Sequence, residues 1–324
     1  MKAMVVKRGW LSNTLEQRRV QIPEIKEDQV LINVCAVGVN RVDVLECSGI
    51  IEALGRNVRH WKVGQRVCAI NVEEGGGYAE KVVVPAEFLL PLPDYFDLDD
   101  AAALPYESCV IWLVLSKMHT RQTGFPDKWI LIREGSIIAP LAIQYAKYMG
   151  FKVVASTGNC NNFDMYVSYG AEFCVDHTAT NFVRQVFEKL GYRGVDFVLD
   201  YGASDLQRNI ACCRTRGMVA IVHLHGVKRT SIDLNTLLKA QAEIKVFNSR
   251  FRDFRDKASV IAGLKINLWP AVLQGRVFPV IEHRFPMEEA QKALDLVKGN
   301  DSSFGKIIVC VNLDKSSSGH LKTK

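Results

Sequence analysis

The sequence lacks the long apolar run, the dense basic segment and the leader that would place it in several large protein classes. Its longest apolar run, Ser108–Leu115, is too short to span a membrane. The net charge is +6, but Lys and Arg are spread along the chain, which argues against a nucleic-acid-binding protein. The N-terminus has no signal-peptide pattern and reads directly as a strand. We therefore expect a cytoplasmic protein without a membrane span.

The nine cysteines include no C-x-x-C pair, and most of them lie inside apolar segments. Their pattern allows two interpretations: zinc or redox chemistry, or buried reduced thiols that act as small hydrophobic side chains. Among the histidines, only His223 and His225 have a spacing that suits a shared metal ion, and a metal site needs more ligands than two. We therefore favour buried thiols and expect no metal site.

The sequence has enough apolar residues to form the cores of two domains, since 48% of its 324 residues are hydrophobic. The first hundred residues alternate short apolar segments with turn-forming residues, which predicts a small antiparallel or barrel-like β domain. The strands predicted there are 2–7, 29–39, 65–70 and 78–85.

From Leu104 onward, apolar strands alternate with helical segments. The predicted strands are 128–133, 152–156, 173–176, 195–200 and 218–223, and the predicted helices are 102–118, 139–150, 163–170, 181–190 and 205–213. This alternation predicts right-handed βαβ units and a doubly wound parallel sheet. Two further helices, 258–273 and 287–298, and a strand at 306–312 complete the predicted elements.

Six short motifs are individually modest, but their order along the chain is specific. They are N-R-V-D (40–43), L-E-C-S-G-I-I-E-A-L-G (45–55), W-K-V-G-Q-R-V (61–67), G-G-G-Y-A-E (75–80), A-A-A-L-P (101–105) and F-G-K-I (304–307). In this order they resemble the zinc-free quinone oxidoreductases of the medium-chain dehydrogenase/reductase superfamily, over nearly the whole chain. The cysteine ligand, G-H-E motif and four-cysteine lobe of the zinc members are absent from the sequence.

The resemblance implies an α/β protein made of a GroES-like, β-rich catalytic domain (residues 1–104 and 253–324) and a Rossmann cofactor-binding domain with a doubly wound parallel sheet (residues 105–252). It implies hydride transfer from NADPH to a small-molecule electron acceptor, either a quinone or an α,β-unsaturated carbonyl. Such proteins commonly form homodimers through an edge strand of the Rossmann sheet, which would here lie near residues 243–248.

The segment where the cofactor is expected departs from the family's glycine-rich pattern, H-G-G-S-S-G-I-G. Gly135 and Ser136 remain, and Ala139 stands in the place of the last glycine. Ile137 and Ile138 fall where small residues are expected, and their branched side chains would crowd a pyrophosphate. Two interpretations stay open: a weakened cofactor site, or a strand–turn–helix that is only structural.

The end of the second strand of this domain, residues 156–159, has no acidic residue to hold a ribose diol, which argues against NAD. The family's NADPH pattern places a Lys shortly afterwards, where this chain has Asn162, and its Tyr after the third strand is here His177. Thr157, Asn159 and His177 are therefore the candidate cofactor contacts, and they offer hydrogen bonds rather than fixed charge.

Arg250 and Arg252 resemble the family's arginine-bearing segment that contacts the cofactor phosphates. They are candidate anion contacts, although a solvated charged strand end would show the same pattern.

By the same resemblance, Asn40 and Asp43 are the candidate catalytic residues near the nicotinamide, where the protein mainly orients the reactants. Asn40 also suits a turn with a local backbone hydrogen bond. A long loop separates the corresponding motifs in the family, but here Val44 alone lies between Asp43 and Leu45. A Thr of the family's nicotinamide pocket is replaced by Val110.

These departures from the family's pattern leave three hypotheses about the function. The chain is an active NADPH-dependent reductase with a weakened site, a catalytically impaired relative that binds a ligand or a partner protein, or a defective gene product that still folds. Binding of NADPH separates the first hypothesis from the other two.

Overall fold

The structure is a computed structural model that describes residues 1–7, 14–40, 45–71, 77–122, 124, 126–133, 138–203, 205–222, 227, 229–247, 254–299 and 304–312. The chain divides into two compact units. The first unit comprises Met1–Cys109, Arg252–Leu273 and Phe278–Lys324, and the second comprises Val110–Phe251 and Gln274–Val277.

The amino-terminal part of the chain is rich in strands. Its elements are β1 (Lys2–Lys7), β2 (Thr14–Arg19), β3 (Gln29–Gly38), β4 (Leu45–Leu54), β5 (Arg66–Asn71), β6 (Lys81–Pro85), β7 (Leu89–Pro91), α1 (Leu98–Ala101) and α2 (Pro105–His119). The strands predicted at 2–7, 29–39 and 65–70 are confirmed within about one residue. The strand predicted from Tyr78 begins only at Lys81.

The second unit alternates strands and helices. Its elements after α2 are β8 (Trp129–Arg133), α3 (Ile138–Tyr148), β9 (Lys152–Thr157), α4 (Phe163–Ser168), β10 (Phe173–Asp176), α5 (Phe182–Lys189), β11 (Val195–Asp200), α6 (Leu206–Cys212), β12 (Cys213–Ile221), α7 (Leu234–Ala240) and β13 (Glu243–Val246). The described strands form a parallel sheet in the order β10-β9-β8-β11-β12-β13. The predicted doubly wound parallel sheet is therefore confirmed.

The remaining elements return to the first unit. They are α8 (Phe254–Asn267), α9 (Trp269–Leu273), β14 (Ile281–Pro286), α10 (Ala290–Gly299) and β15 (Lys306–Cys310). The prediction of one continuous helix over 258–273 is wrong. Two helices meet at Leu268, because Pro270 suits the first turn of a new helix but interrupts an existing one.

The main sheet of the first unit has the order β14-β15-β3-β4-β5-β7, with β6 also paired to β3, while β1 and β2 form a separate hairpin. Strand β3 is central and almost wholly buried, as its continuous apolar sequence requires. Strand β4 was not predicted, because its sequence mixes polar residues and glycine. A Cβ on Gly49 would lie 2.2 Å from the Asn33 carbonyl oxygen, so glycine permits the close approach of β4 to β3.

Apolar side chains from helices and strands form the core of each unit. In the second unit, Leu131, Val154 and Val198 from three neighbouring strands pack with Phe182 and Ile210 from α5 and α6. The mixed α/β class predicted from the sequence is confirmed. Within the described parts of the chain, every helix is too short or too polar to cross a membrane.

Candidate functional site

The structure describes five of the ten predicted site residues. Asn40 lies in the first unit, whereas Ala139, Thr157, Asn159 and His177 lie in the second. The other five lie outside the described residues; they are Asp43, Gly135, Ser136, Arg250 and Arg252.

In the second unit, the candidate residues collect at the carboxyl ends of adjacent parallel strands. Arg133, the last residue of β8, is paired in register with Ser156 of β9, and the backbone N–H of His177 donates to the Thr157 carbonyl oxygen over 3.3 Å. After β10 the chain crosses to β11 on the other side of β8, so the strand order reverses beside Arg133. Open α/β sheets bind their ligands outside the carboxyl ends of the strands at such a reversal.

Thr157 and Asn159 are partly committed to each other. The Asn159 backbone N–H donates to Thr157 Oγ1 over 3.0 Å, and Asn159 Oδ1 accepts from the Asn161 N–H over 3.1 Å, which caps a short 3-10 turn. Thr157 is fully buried, while Asn159 is exposed. Thr157 therefore shapes the turn after β9, and the exposed Asn159 side chain caps the turn that follows.

The start of α3 is packed tightly into the unit. Ala139 and Ile138 are both buried, with 0% and 2% of their surface exposed. A small residue at position 139 suits the close contact between helix and strand that the last glycine of a dinucleotide fingerprint provides. Ile138 lies inside the protein, and Ile137 is outside the described residues.

Arg133 is a buried cation that the sequence analysis did not single out. Its guanidinium lies 4.8 Å from the centre of the Phe182 ring, and its Nη2 is 3.9 Å from Asp205 Oδ2. Burial lowers the pKa of Arg133, and the carboxylates of Asp200 and Asp205 oppose that shift. Among the described residues, Arg133 Nη1 and the buried Ser156 Oγ have no hydrogen-bond partner. Arg133 and Ser156 therefore place two polar atoms that lack a described partner near the ends of adjacent strands, beside the strand-order reversal.

The acidic residues near this edge already have partners. Asp200 Oδ1 accepts from the N–H groups of Gly202 and Ala203 over 2.9 and 3.1 Å, and Asp200 Oδ2 accepts from Asn209 over 2.6 Å. Asp205 caps the start of α6. These carboxylates hold the loop after β11 in place, and none of them belongs to the end of β9, where a ribose diol would require one.

In the first unit, Asn40 is part of a buried charged cluster. Its Nδ2 donates to Glu46 Oε2 over 3.0 Å, and its Oδ1 accepts from Lys306 Nζ over 2.8 Å. Lys306 Nζ also lies 2.8 Å from Glu46 Oε2 and 2.6 Å from Glu107 Oε1. The backbone N–H of Tyr106 donates to Glu46 Oε1 over 2.9 Å. Strands β4 and β15 and helix α2 thus bring one ammonium and two carboxyl groups to Asn40.

The charges in this cluster change the pKa values of its members. Burial, reinforced by the charge of Glu46, raises the pKa of Glu107 to about 8, although Lys306 opposes the shift. Burial lowers the pKa of Lys306, but the two carboxylates outweigh it, so the pKa of that ammonium is raised. Asn40 is the member of this group that a sequence motif indicates as a candidate catalytic residue, whereas Glu46, Glu107 and Lys306 join it only through the fold.

Two further observations concern other kinds of site. A cavity of about 400 Å³ in the first unit is lined by residues that include Trp61, Glu87 and Lys265, and none of the five described site residues lines it. Within the described ranges, no three His, Cys, Asp or Glu side chains gather in the way that ligands of a metal ion would.

A β-rich unit together with a unit built on a doubly wound parallel sheet defines a class of two-domain α/β proteins, and comparisons with known proteins identify the family. Residues 26–94 match the family model described as the alcohol dehydrogenase GroES-like domain, and residues 138–263 match the one described as zinc-binding dehydrogenase.

Relatives of known name span nearly the whole chain. The quinone oxidoreductase of Sus scrofa is 25% identical over 316 residues, which cover 90% of this chain and 92% of that protein. The 2-haloacrylate reductase of a Burkholderia species is 24% identical over 333 residues, covering 95% and 98%. The crystal structure of Escherichia coli quinone oxidoreductase complexed with NADPH matches 96% of this chain and 99% of that one, with a TM-score of 0.78 and 19% identity, which shows a shared fold.

The chain belongs to the medium-chain dehydrogenase/reductase superfamily, in which it is a quinone oxidoreductase-like oxidoreductase. The family suggested by the six sequence motifs is confirmed.

Proposed function

We propose that this protein transfers a hydride from NADPH to a quinone or another α,β-unsaturated carbonyl compound without a zinc ion. The observation that carries the proposal is the polar carboxyl edge of the second unit's sheet, where Arg133, Ser156 and Thr157 end two adjacent strands and β9 ends without an acidic residue. Relatives named quinone oxidoreductase and 2-haloacrylate reductase, and a neighbouring structure complexed with NADPH, support the same chemistry.

The unpaired polar atoms at this edge fit an anionic nucleotide. Arg133 Nη1 is a buried donor with no hydrogen-bond partner in the described part of the chain, and it belongs to a charged group beside the strand-order reversal. The same holds for the buried Ser156 hydroxyl on the neighbouring strand, again among the described residues. No acid ends β9, so that strand lacks the carboxylate that would hold the ribose diol of NADH, which favours NADPH over NADH.

In this proposal the cofactor site consists of Gly135, Ser136, Ala139, Thr157, Asn159, His177, Arg250 and Arg252. Bound NADPH supplies the hydride, and a proton from solvent completes the reduction of the acceptor. Asn40 and Asp43 lie beside the nicotinamide and orient it.

We also propose a division of roles between the domains. Residues 1–104 and 253–324 form the catalytic domain, and residues 105–252 form the cofactor domain.

We further propose that the protein acts in the cytoplasm as a homodimer. Strand β13 has β12 as its neighbour on one side and otherwise forms an edge of the described sheet, so it offers the backbone groups for such pairing.

The test is a calorimetric titration of the folded protein with NADPH and NADH, followed by NADPH oxidation with a panel of quinones and enones. We expect micromolar binding selective for NADPH, and weaker binding by the double variant R250A/R252A. The variant R276A, which removes an exposed arginine, serves as the control. A folded protein that binds neither dinucleotide would disprove the proposal.

A second function is favoured by one observation, the replacement of the small residues of the glycine-rich turn by Ile137 and Ile138. In this alternative, the chain is a catalytically impaired reductase-like protein that binds a ligand or a partner protein. Folded protein without dinucleotide binding is the result that this alternative predicts.

A further inference from the structure

The ammonium group of Lys306 has all of its donors occupied inside the first unit. It lies 2.6 Å from Glu107 Oε1, 2.8 Å from Glu46 Oε2 and 2.8 Å from Asn40 Oδ1. An ammonium group has three N–H donors, and these three acceptors match them. Lys306 is therefore held in a single position on β15.

This position of Lys306 determines which way the Asn40 amide points. Its Oδ1 accepts from the ammonium, and its Nδ2 donates to Glu46 Oε2 over 3.0 Å. A flipped amide would place its NH₂ group against the ammonium and its oxygen against a carboxylate, so charge excludes that orientation. Among the described residues only Glu46 accepts from Asn40 Nδ2, so one N–H of that amide is left over.

Asn40 is also the member of the cluster that reaches the surface. It is 8% exposed, whereas Glu46, Glu107 and Lys306 are 0–2% exposed. The remaining N–H of Asn40 is therefore the one through which the cluster can act on a bound molecule. A cationic donor on Oδ1 polarises the amide and strengthens that N–H as a donor.

We propose that Lys306 is a positioning residue, which together with Glu46 aims and polarises the Asn40 amide toward the carbonyl oxygen of the acceptor. This inference rests on the proposed function, in which Asn40 lies beside the nicotinamide. A carbonyl-conjugated acceptor gains negative charge on its oxygen as the hydride arrives at carbon, and a preorganised N–H donor stabilises that charge. This donor therefore favours the reduction of quinones and enones, because their carbonyl oxygen carries the developing negative charge.

Glu107 couples this arrangement to pH. Its Oε2 is buried and has no hydrogen-bond partner among the described residues, so a negative charge on this carboxyl is poorly compensated. When Glu107 loses its proton, its attraction for Lys306 grows, and the hydrogen bond from Lys306 to Asn40 weakens.

The groups that face Glu107 come from three elements. Glu46 on β4 repels the ionised carboxyl, Lys306 on β15 attracts it, and the Cys109 thiol on α2 has a pKa that burial and both carboxylates raise. The Tyr106 ring, also on α2, is 5.9 Å from Lys306 Nζ. Because the pKa of Glu107 is about 8, this carboxyl is the group of the cluster that changes charge near neutral pH.

The experiment compares K306Q and E107Q with wild type and with K292Q, which removes an exposed lysine. We expect K306Q to lower kcat about tenfold while the Kd for NADPH stays unchanged, which is less than the loss of a whole transition-state donor because Asn40 keeps its N–H. We expect E107Q to lose the change in kcat that wild type shows near pH 8. An unchanged kcat in folded K306Q, or an unchanged pH profile in E107Q, overturns the inference. If K306Q does not fold, the pH profile of E107Q alone tests the inference.

A second readout does not depend on turnover. The side-chain NH₂ signals of Asn40 in a ¹⁵N NMR spectrum should shift with a midpoint near pH 8 in wild type, and this shift should vanish in E107Q. Absence of the shift in wild type overturns the inference even in an active enzyme. A clear shift in a protein that does not bind NADPH supports the inference about Asn40 and contradicts the proposed function instead.

Discussion

Lys306 and Glu107 form an ion pair inside the first unit, with Nζ 2.6 Å from Oε1 and each side chain 3% exposed. Glu46 adds a second carboxylate 2.8 Å from the same ammonium, so the pair is not balanced. One cation with two anions leaves a net negative charge in a buried site, and such a charge is costly. Burial, reinforced by the charge of Glu46, therefore raises the pKa of Glu107 to about 8, and a proton held on Glu107 removes this excess.

The first prediction concerns stability and pH. The pKa of Glu107 rises from 4.5 to about 8 on folding, so its stabilising contribution is complete below pH 4.5 and is lost as the pH rises through 8. As the pH rises from 4.5 to about 8, we expect the free energy of unfolding of E107Q to fall less than that of wild type. Urea denaturation at several pH values measures this free energy for both proteins.

The control for this comparison is E289Q, which changes an exposed glutamate that pairs with Lys292. It should keep the pH dependence of wild type. If E107Q and wild type lose stability in parallel between pH 5 and 9, the buried cluster is not the source of the pH dependence.

The second prediction concerns Gly38, at the end of β3. A Cβ at this position would lie 2.4 Å from Glu46 Oε2 and 2.7 Å from the Ala102 carbonyl oxygen. Since Glu46 is held by Lys306 and Asn40, it has no room to move, and we expect G38A to destabilise the protein by about 1–3 kcal/mol. Thermal unfolding measures this loss.

Gly299 provides the matched control, because a Cβ there meets nothing within 4 Å. The variant G299A should keep the stability of wild type within about 0.5 kcal/mol. Equal unfolding temperatures for G38A and G299A would show that the cluster tolerates a displaced Glu46.

Much of the fold could be predicted from the sequence, because the pattern of apolar residues is local. The segment Val195–Asp200 is mainly apolar and bounded by turn residues, and it forms a strand with those bounds. The charged cluster could not be predicted in this way. Glu107 and Lys306 are 199 residues apart, and each stands alone in an apolar segment, so nothing local indicates that they meet.

The candidate site shows the same limit. Asn40 was selected through a motif, yet its hydrogen-bond partners come from β4 and β15. Arg133 follows four apolar residues at the end of β8, where a charged residue usually marks a strand end in solvent. Its burial against Phe182 depends on where α5 packs, which is a tertiary property.

The third prediction compares two fully buried serines. Ser48 Oγ donates to the Leu98 carbonyl oxygen, whereas Ser156 Oγ has no partner among the described residues. Removing an unpaired buried hydroxyl costs little, so we expect S156A to retain or gain stability, by at most about 1 kcal/mol. We expect S48A to lose about 1 kcal/mol, since it leaves a buried carbonyl unpaired. A clear loss of stability in S156A would show that Ser156 has a structural partner, such as an ordered water.

The last prediction separates structure from ligand binding at Arg133. Asp205 Oδ2, 3.9 Å away, already accepts from Arg208 Nε, and Asp200 keeps its hydrogen bonds from Gly202, Ala203 and Asn209, so R133M leaves both carboxylates hydrogen-bonded. We therefore expect R133M to change the free energy of unfolding by no more than about 1 kcal/mol. The Kd for NADPH should rise roughly tenfold, because a cation beside the strand-order reversal is lost. The exposed pair of Arg184 with Glu188 on α5 supplies the control R184M, which should leave both quantities unchanged. Calorimetry at two salt concentrations measures the effect, and the difference in Kd should shrink at the higher one. An unchanged Kd in R133M would show that Arg133 only packs the core against Phe182.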